Sequence, residues 1–284
     1  MFIILFITLY VEAVGLEKHT ETIRKTLKFS GQSDRNLLIL KNVQGFVKVE
    51  GYSGAEVQIE AEKTIHANNQ NKLEQGLNEF KLMFEEAGDR IFVYLDAPFI
   101  QVKKYEDNVE YNIHHDNEDY QFKVNFTVKV PYRTSLKVAT INEGDIEVRE
   151  VRGNTMHVSN INGHLALENI EGMTKASTIN GNITATYREN PSGASHYKTI
   201  NGNITATFPD NLSADISMKT MNGEYYTNFP EVKHIASKME KNEDKSGNRT
   251  VYKVDKSTGI RIGNGDVALD FQTLNGDIYI KESE

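Results

Sequence analysis

The 284-residue sequence contains no cysteine. This removes disulfides, thiolate nucleophiles, cysteine-ligated zinc or iron–sulfur centres and a lipidated N-terminal cysteine. It does not assign a compartment, because many exported bacterial proteins lack the residue. Proline is scarce too, at five residues, and with 38% hydrophobic and 25% charged residues the chain has the composition of an ordered protein. No run of lysine or arginine is long enough to neutralise several phosphates from one face, and the formal net charge is −8. Nucleic acid is therefore not an expected partner, and the acidity reads as a soluble surface. No apolar stretch approaches the roughly 20 residues that a membrane-spanning helix needs, so no transmembrane span is expected. The patterns G-x-x-x-x-G-K-[ST], G-x-S-x-G and H-E-x-x-H are all missing. Nothing points to a cofactor.

What is present begins at the N-terminus. Phe2 to Val11 is an almost unbroken apolar run, followed by small residues at Ala13 and Gly15. The run is short for a bilayer span but suits the apolar region of a signal peptide over residues 1–15, cleaved near Ala13 or Gly15. A leading lysine or arginine is lacking, and the competing reading is a buried first strand. The expectation is export, to the periplasm, the cell surface or the medium.

Residues 16–133 read as an N-terminal β region. Leu37-Leu38-Ile39-Leu40, Phe46 to Glu50 and Glu56 to Ala61 have strand character, and Gly45, Gly51 and Gly54 punctuate them. One helix is predicted near 69–86, because Leu73, Leu77, Phe80 and Phe84 fall at spacings of four, three and four, with Gly76 its weak point. Strands resume at Arg90 to Leu95 and at Tyr120 to Val130, with a polar loop expected over Lys103 to Asp119.

Residues 134–284 repeat themselves. Asn142, Asn162, Asn180, Asn201, Asn222 and Asn275 each precede a glycine (Gly144 after one intervening residue, then Gly163, Gly181, Gly202, Gly223 and Gly276). Thr178 to Tyr187 recurs at Thr199 to Phe208 with only the final aromatic changed. Gly153, Gly172 and Gly193 fall between these turns, giving a unit of strand, glycine turn, strand, Asn-Gly turn. Positive φ at Asn and Gly would explain their place at the corners. No unit buries enough to stand alone, so units must stack. The expected fold is all-β, a β-solenoid with an asparagine ladder at the corner and an isoleucine ladder in the core. The alternative is an antiparallel β-sandwich or meander with type I′ hairpins. Residues 16–284 are expected to form one continuous domain, with an insertion near 229–262 looping out of one turn.

The stretch Val128-Lys129-Val130-Pro131, followed by Leu136 to Ile146 and the Asn-Gly units, resembles a bacterial family of unknown function described as candidate adhesins with β-strand repeats. In that family a Val-Pro strand end leads into T-x-N-G-D-I units. The resemblance runs from Leu37 to the end of the sequence, and implies an exported, envelope-associated protein with a β-helix-like body and no catalytic residues to carry over. His164, Asn182, Asn203 and Glu224 stand where the family has aspartate, which argues against a cation ladder at that position.

Asp145, Glu147, Asp266 and Asp277 are the best acids for a polysaccharide-active enzyme, but turns explain the aspartates. His114-His115-Asp116-Asn117-Glu118-Asp119 holds metal-ligand types, yet adjacent histidines in an extended segment point apart, and no metal site is assigned. Thr184, Thr186, Thr205 and Thr207 could form one polar face, with Tyr187 and Phe208 nearby. The expected role is non-enzymatic adhesion or scaffolding, with an unidentified protein or glycan at the cell surface as partner.

Overall fold

The computed structural model describes residues 17–31, 34–114, 119–235, 239–243, 250–254 and 258–283. The predicted signal peptide and His115 to Glu118 lie outside the described residues.

In chain order, β1 (Glu17–Lys28) leads into a first rung, β2 (Leu37–Lys41) and β3 (Val47–Tyr52). The chain then leaves the stack to build β4 (Glu56–Ala67), helix α1 (Gln70–Glu79), β5 (Lys81–Ala87), β6 (Arg90–Asp96), the hairpin β7 (Ile100–Lys104) and β8 (Val109–Ile113), and β9 (Tyr120–Pro131). Four rungs follow: β10 (Ser135–Ala139) with β11 (Ile146–Arg149), β12 (Thr155–Ser159) with β13 (Leu165–Ile170), β14 (Met173–Ser177) with β15 (Ile183–Tyr187), and β16 (Ser195–Lys198) with β17 (Ile204–Phe208). Next come the rung β18 (Ala214–Lys219) with β19 (Tyr225–Thr227), then β20 (Lys233–Ile235), β21 (Met239–Glu243), β22 (Thr250–Val254) and β23 (Thr258–Ile262). The rung β24 (Val267–Gln272) with β25 (Ile278–Glu282) completes the described strands.

The rungs lie in two facing sheets, called here A and B. Sheet A runs β1-β4-β9-β3-β11-β13-β15-β17-β25-β19, and sheet B runs β20-β23-β18-β24-β16-β14-β12-β10-β2-β6-β5. Successive rungs pair parallel and in register, so that Ile146, Leu165, Ile183, Ile204 and Ile278 stack as one core ladder. The same register places Tyr197 on Phe271, rings parallel with centroids 4.6 Å apart. Like residues on like is what stacking rewards, and the fold is β-solenoid-like. Among the described strands, antiparallel pairing is confined to β1, β4 and β9, to β5 and β6, to β18, β23 and β20, and to the two hairpins.

The ends of such a stack expose unpaired backbone and apolar surface. At one end α1 lies against β4 and β9. It starts at Asn69, whose Oδ1 accepts a hydrogen bond from the Lys72 N–H at 3.0 Å. Gly76 sits where a Cβ would lie 2.7 Å from the Tyr120 ring, which explains the glycine in a helix interior. Phe80 closes the helix and stacks on Phe122 with centroids 4.3 Å apart.

Three expectations need correction. The helix ends at Glu79 rather than near 86, and Phe84 belongs to β5, which turns at Gly88 (φ 68°) and pairs with β6. The cause is that an offset of four is even: it satisfies strand alternation as well as a helical face. Second, the predicted polar loop contains most of the hairpin β7–β8, which covers a small second core of Ile39, Phe92, Tyr94 and Val109 on the outer side of sheet B. Third, residues 229–262 do not simply loop out of one turn. β23 pairs with β18 and β20 pairs with β23, and the chain then returns so that β24–β25 slots between the rungs β16–β17 and β18–β19. Spatial order therefore departs from sequence order at that rung.

Candidate functional site

The Asn-Gly corner runs the length of the stack, and each position of its motif has its own bond. The asparagines form an unbroken side-chain ladder: the Nδ2 of Asn162 donates to Oδ1 of Asn142 at 2.7 Å, Asn180 to Asn162 at 2.7 Å, Asn201 to Asn180 at 2.8 Å, Asn275 to Asn201 at 2.7 Å, and Asn222 to Asn275 at 2.7 Å. Each amide between the terminal Asn142 and Asn222 thus uses a donor on one side and its acceptor on the other. Two residues upstream, threonine hydroxyls tie rungs together: Thr178 Oγ1 donates to the Gly163 carbonyl at 3.0 Å, Thr199 to Gly181 at 2.9 Å, Thr273 to Gly202 at 2.9 Å and Thr220 to Gly276 at 3.0 Å. Asn160 does the same with its amide, reaching the Gly144 carbonyl at 2.9 Å.

The glycines are needed for closeness. A Cβ on Gly181 would lie 2.1 Å from the Gly163 carbonyl oxygen, and one on Gly223 1.9 Å from that of Gly276. The positive-φ explanation holds only in part: none of the ladder asparagines has positive φ, nor do Gly144, Gly163, Gly181 and Gly223, whereas Gly202 (φ 157°) and Gly276 (φ 150°) do. Among the described non-glycine residues of the corner, Glu143 (φ 55°), the extra residue between Asn142 and Gly144, has positive φ.

The position after glycine explains the departure from aspartate. Asp145 Oδ1 accepts from the His164 N–H at 2.7 Å, His164 Nδ1 from Asn182 at 2.8 Å, Asn182 Oδ1 from Asn203 at 2.8 Å, Asn203 Oδ1 from Asp277 at 2.8 Å, and Asp277 Oδ1 from Glu224 at 2.9 Å. An acceptor is required there; a charge is not. One rung escaped the sequence reading. Asn42-Val43-Gln44-Gly45 occupies the same corner, Gln44 bridging to Asn142 and Asn42 donating to the Gly45 carbonyl at 3.2 Å. The signal was a donor-bearing residue two before an amide residue, with glycine next.

The candidate acids do not converge. Asp145 and Asp277 stand four rung steps apart, at about 4.8 Å per step. Glu147 is engaged with Lys48 at 3.2 Å, and Asp266 is exposed beyond β23. His114 directly follows β8, with its N–H bonded to the Phe99 carbonyl at 2.9 Å.

The outer faces differ from each other. On sheet A, Thr184 pairs with Thr205 and Thr186 with Thr207, and that surface continues to Tyr279 and Tyr226, whose rings stack with centroids 4.9 Å apart. Tyr226 is 48% exposed. Tyr187 and Phe208 face inward and stack in the core at 5.0 Å. On sheet B, Lys137, His157, Lys175 and His196 follow one another in register. Partial burial, then Lys137 and Lys175, lower the His157 pKa, opposed weakly by Asp107.

A family model described as Toastrack DUF4097 matches residues 128–281. No protein of curated function matches the chain. Among solved structures, one described as a candidate cell adhesion protein from Clostridium sporogenes is 12% identical, covering 93% of this chain and 100% of its own, with a TM-score of 0.46. A candidate adhesin from Bacteroides fragilis is 10% identical over 93% of this chain and 97% of its own, TM-score 0.30. A candidate lipid-binding protein from Parabacteroides distasonis is 11% identical over 94% and 97%, TM-score 0.28.

Proposed function

The chain belongs to the Toastrack DUF4097 family, and from that premise we propose that it is an exported, non-enzymatic protein of the cell envelope or surface that adheres through the outer face of sheet A. The observation that carries the reading is the exposed Tyr226–Tyr279 stack, which continues the rows of Thr184, Thr205, Thr186 and Thr207. The corner side chains are spent on holding rungs together, whereas this face offers hydroxyls beside an aromatic platform that the stack itself does not need. Such a surface suits a sugar ring or a protein side chain. No helix among the described residues is long and apolar enough to cross a membrane.

Two measurements test the proposal. Purified chain should label intact bacterial envelopes, and Tyr226→Ala with Tyr279→Ala should lower that labelling several-fold without lowering the melting temperature. Equal labelling by the double variant, or release of reducing sugars from envelope polysaccharide by the wild type, would overturn it. Mass spectrometry of the mature protein should place its N-terminus between Val14 and Glu17, and an intact Met1 in mature protein would remove export.

A further inference from the structure

The opposite face of the stack holds a second site. Five residues before each ladder asparagine lies an outward position of sheet B, and four consecutive rungs fill it with Lys137, His157, Lys175 and His196. In the neighbouring outward column Lys41 and Lys198 stand at the ends, with Ala139, Ser159 and Ser177 between them. Small side chains between long ones make a trough. A cavity of about 410 Å³ lies here, with Lys137, His157 and Lys175 along one side and Asn108 and Val109 of the β7–β8 hairpin as a wall.

Like charges in directly opposed positions destabilise a sheet. In a protein of net charge −8, a carboxylate at any of these positions would be easy to supply. Among the described residues, Lys41, Lys137, Lys175 and Lys198 nevertheless have no carboxylate within ion-pair distance. His196 alone has one, Asp270, at 3.7 Å. Asp107 and Glu110 on the hairpin act from further off. Burial lowers the Lys41 pKa, with Glu110 opposing the shift and Lys137 adding to it.

We propose that this trough binds a linear acidic polysaccharide, its carboxylates on the lysine and histidine row and its hydroxyls on Ser159, Ser177 and Asn108. The lysines recur every second rung, about 9.6 Å apart, with a histidine between them, so the row meets a ligand whose charges recur along an extended chain. The hydroxyl and amide groups on the floor and wall favour a carboxylated sugar over a bare polyphosphate, which would use the cations alone. The site is separate from the tyrosine platform and does not depend on it.

The test is binding of the full chain to polygalacturonate, with polyphosphate and neutral dextran as parallel arms, each measured at low and high salt. Polygalacturonate should bind best, weaken as salt rises, and lose at least tenfold in affinity in Lys137→Gln/Lys175→Gln at unchanged melting temperature. Ser177→Val, which keeps the charges, should weaken polygalacturonate but leave polyphosphate unchanged. The proposal is overturned by equal binding of dextran, by tighter binding of polyphosphate, by no binding of polygalacturonate, or by a double variant that binds it as the wild type does.

Discussion

The two outer faces of the stack are built from the same rungs at the same spacing, yet they handle charge in opposite ways. Sheet A and the corner beside it pair their charges: Lys48 with Glu147 at 3.2 Å, Arg149 with Glu168 at 3.1 Å, and Arg152 and Arg188 with Glu171 at 3.7 and 3.4 Å. Sheet B carries Lys137, His157, Lys175 and His196 in one row, the two lysines without a carboxylate partner among the described residues. Because the backbone is equivalent, the difference belongs to the side chains alone. It separates what the fold requires, which both faces share, from what each face presents to its surroundings.

The comparison breaks most completely where the sheets share a joint. Gly181→Val places a branched side chain against the Gly163 carbonyl and should cost about 3 kcal/mol or more, disordering both faces together. A thermal melt reads this directly, with Thr184→Ser as a control that should melt with the parent. A milder break is Thr199→Val, which removes the buried bond to the Gly181 carbonyl and should cost about 1 kcal/mol in a denaturant titration.

Charge reversals sharpen the contrast because their signs should differ. Lys48→Glu sets a carboxylate beside Glu147 and should lower stability by about 0.5 kcal/mol at low salt. Lys175→Glu replaces a cation flanked by His157 and His196, and should raise stability by a few tenths of a kcal/mol. Matched denaturant midpoints at low and high salt check both, and a fall in stability for Lys175→Glu would mean that the sheet B row is not repulsive.

The smallest expected effect is one of pH. The folded His157 pKa lies below its ordinary value, so the unfolded chain takes up the proton first as pH falls. Above about pH 6.5 the residue carries no penalty. Stability is then lost as pH drops through the ordinary histidine value, until the folded pKa is passed. His157→Gln should flatten that part of the stability profile, and no change in the profile would show that the row exerts no pressure on this ring.

Much of the stack was legible because its code is local. Thr199, Asn201 and Gly202 do the same work as Thr178, Asn180 and Gly181, so identity at a fixed offset revealed the rungs. The rung of Asn42 and Gln44 was hidden because each polar group was replaced by a chemical equivalent with different letters. The cation row was also in plain view, at a constant distance from each asparagine, but a periodic lysine reads as an ordinary solvated strand position until its neighbours in space are known. Rung order was not legible at all. Every corner presents the same donors and acceptors to either neighbour, so nothing in residues 267–282 says that they lie between β17 and β19.

That displaced rung bears on how the molecule can come into being. When β18 and β19 leave the ribosome, the strands that will flank them on the inner side have not yet been synthesised, so stacking cannot simply follow the order of translation. A chain stopped at Asp266 would be no shorter solenoid with one turn fewer. It would have a gap inside the stack, with β17 and β19 both left holding unpaired edges. Completion of the stack, and with it the continuous asparagine ladder from Asn142 to Asn222, waits for residues 267–282 to arrive.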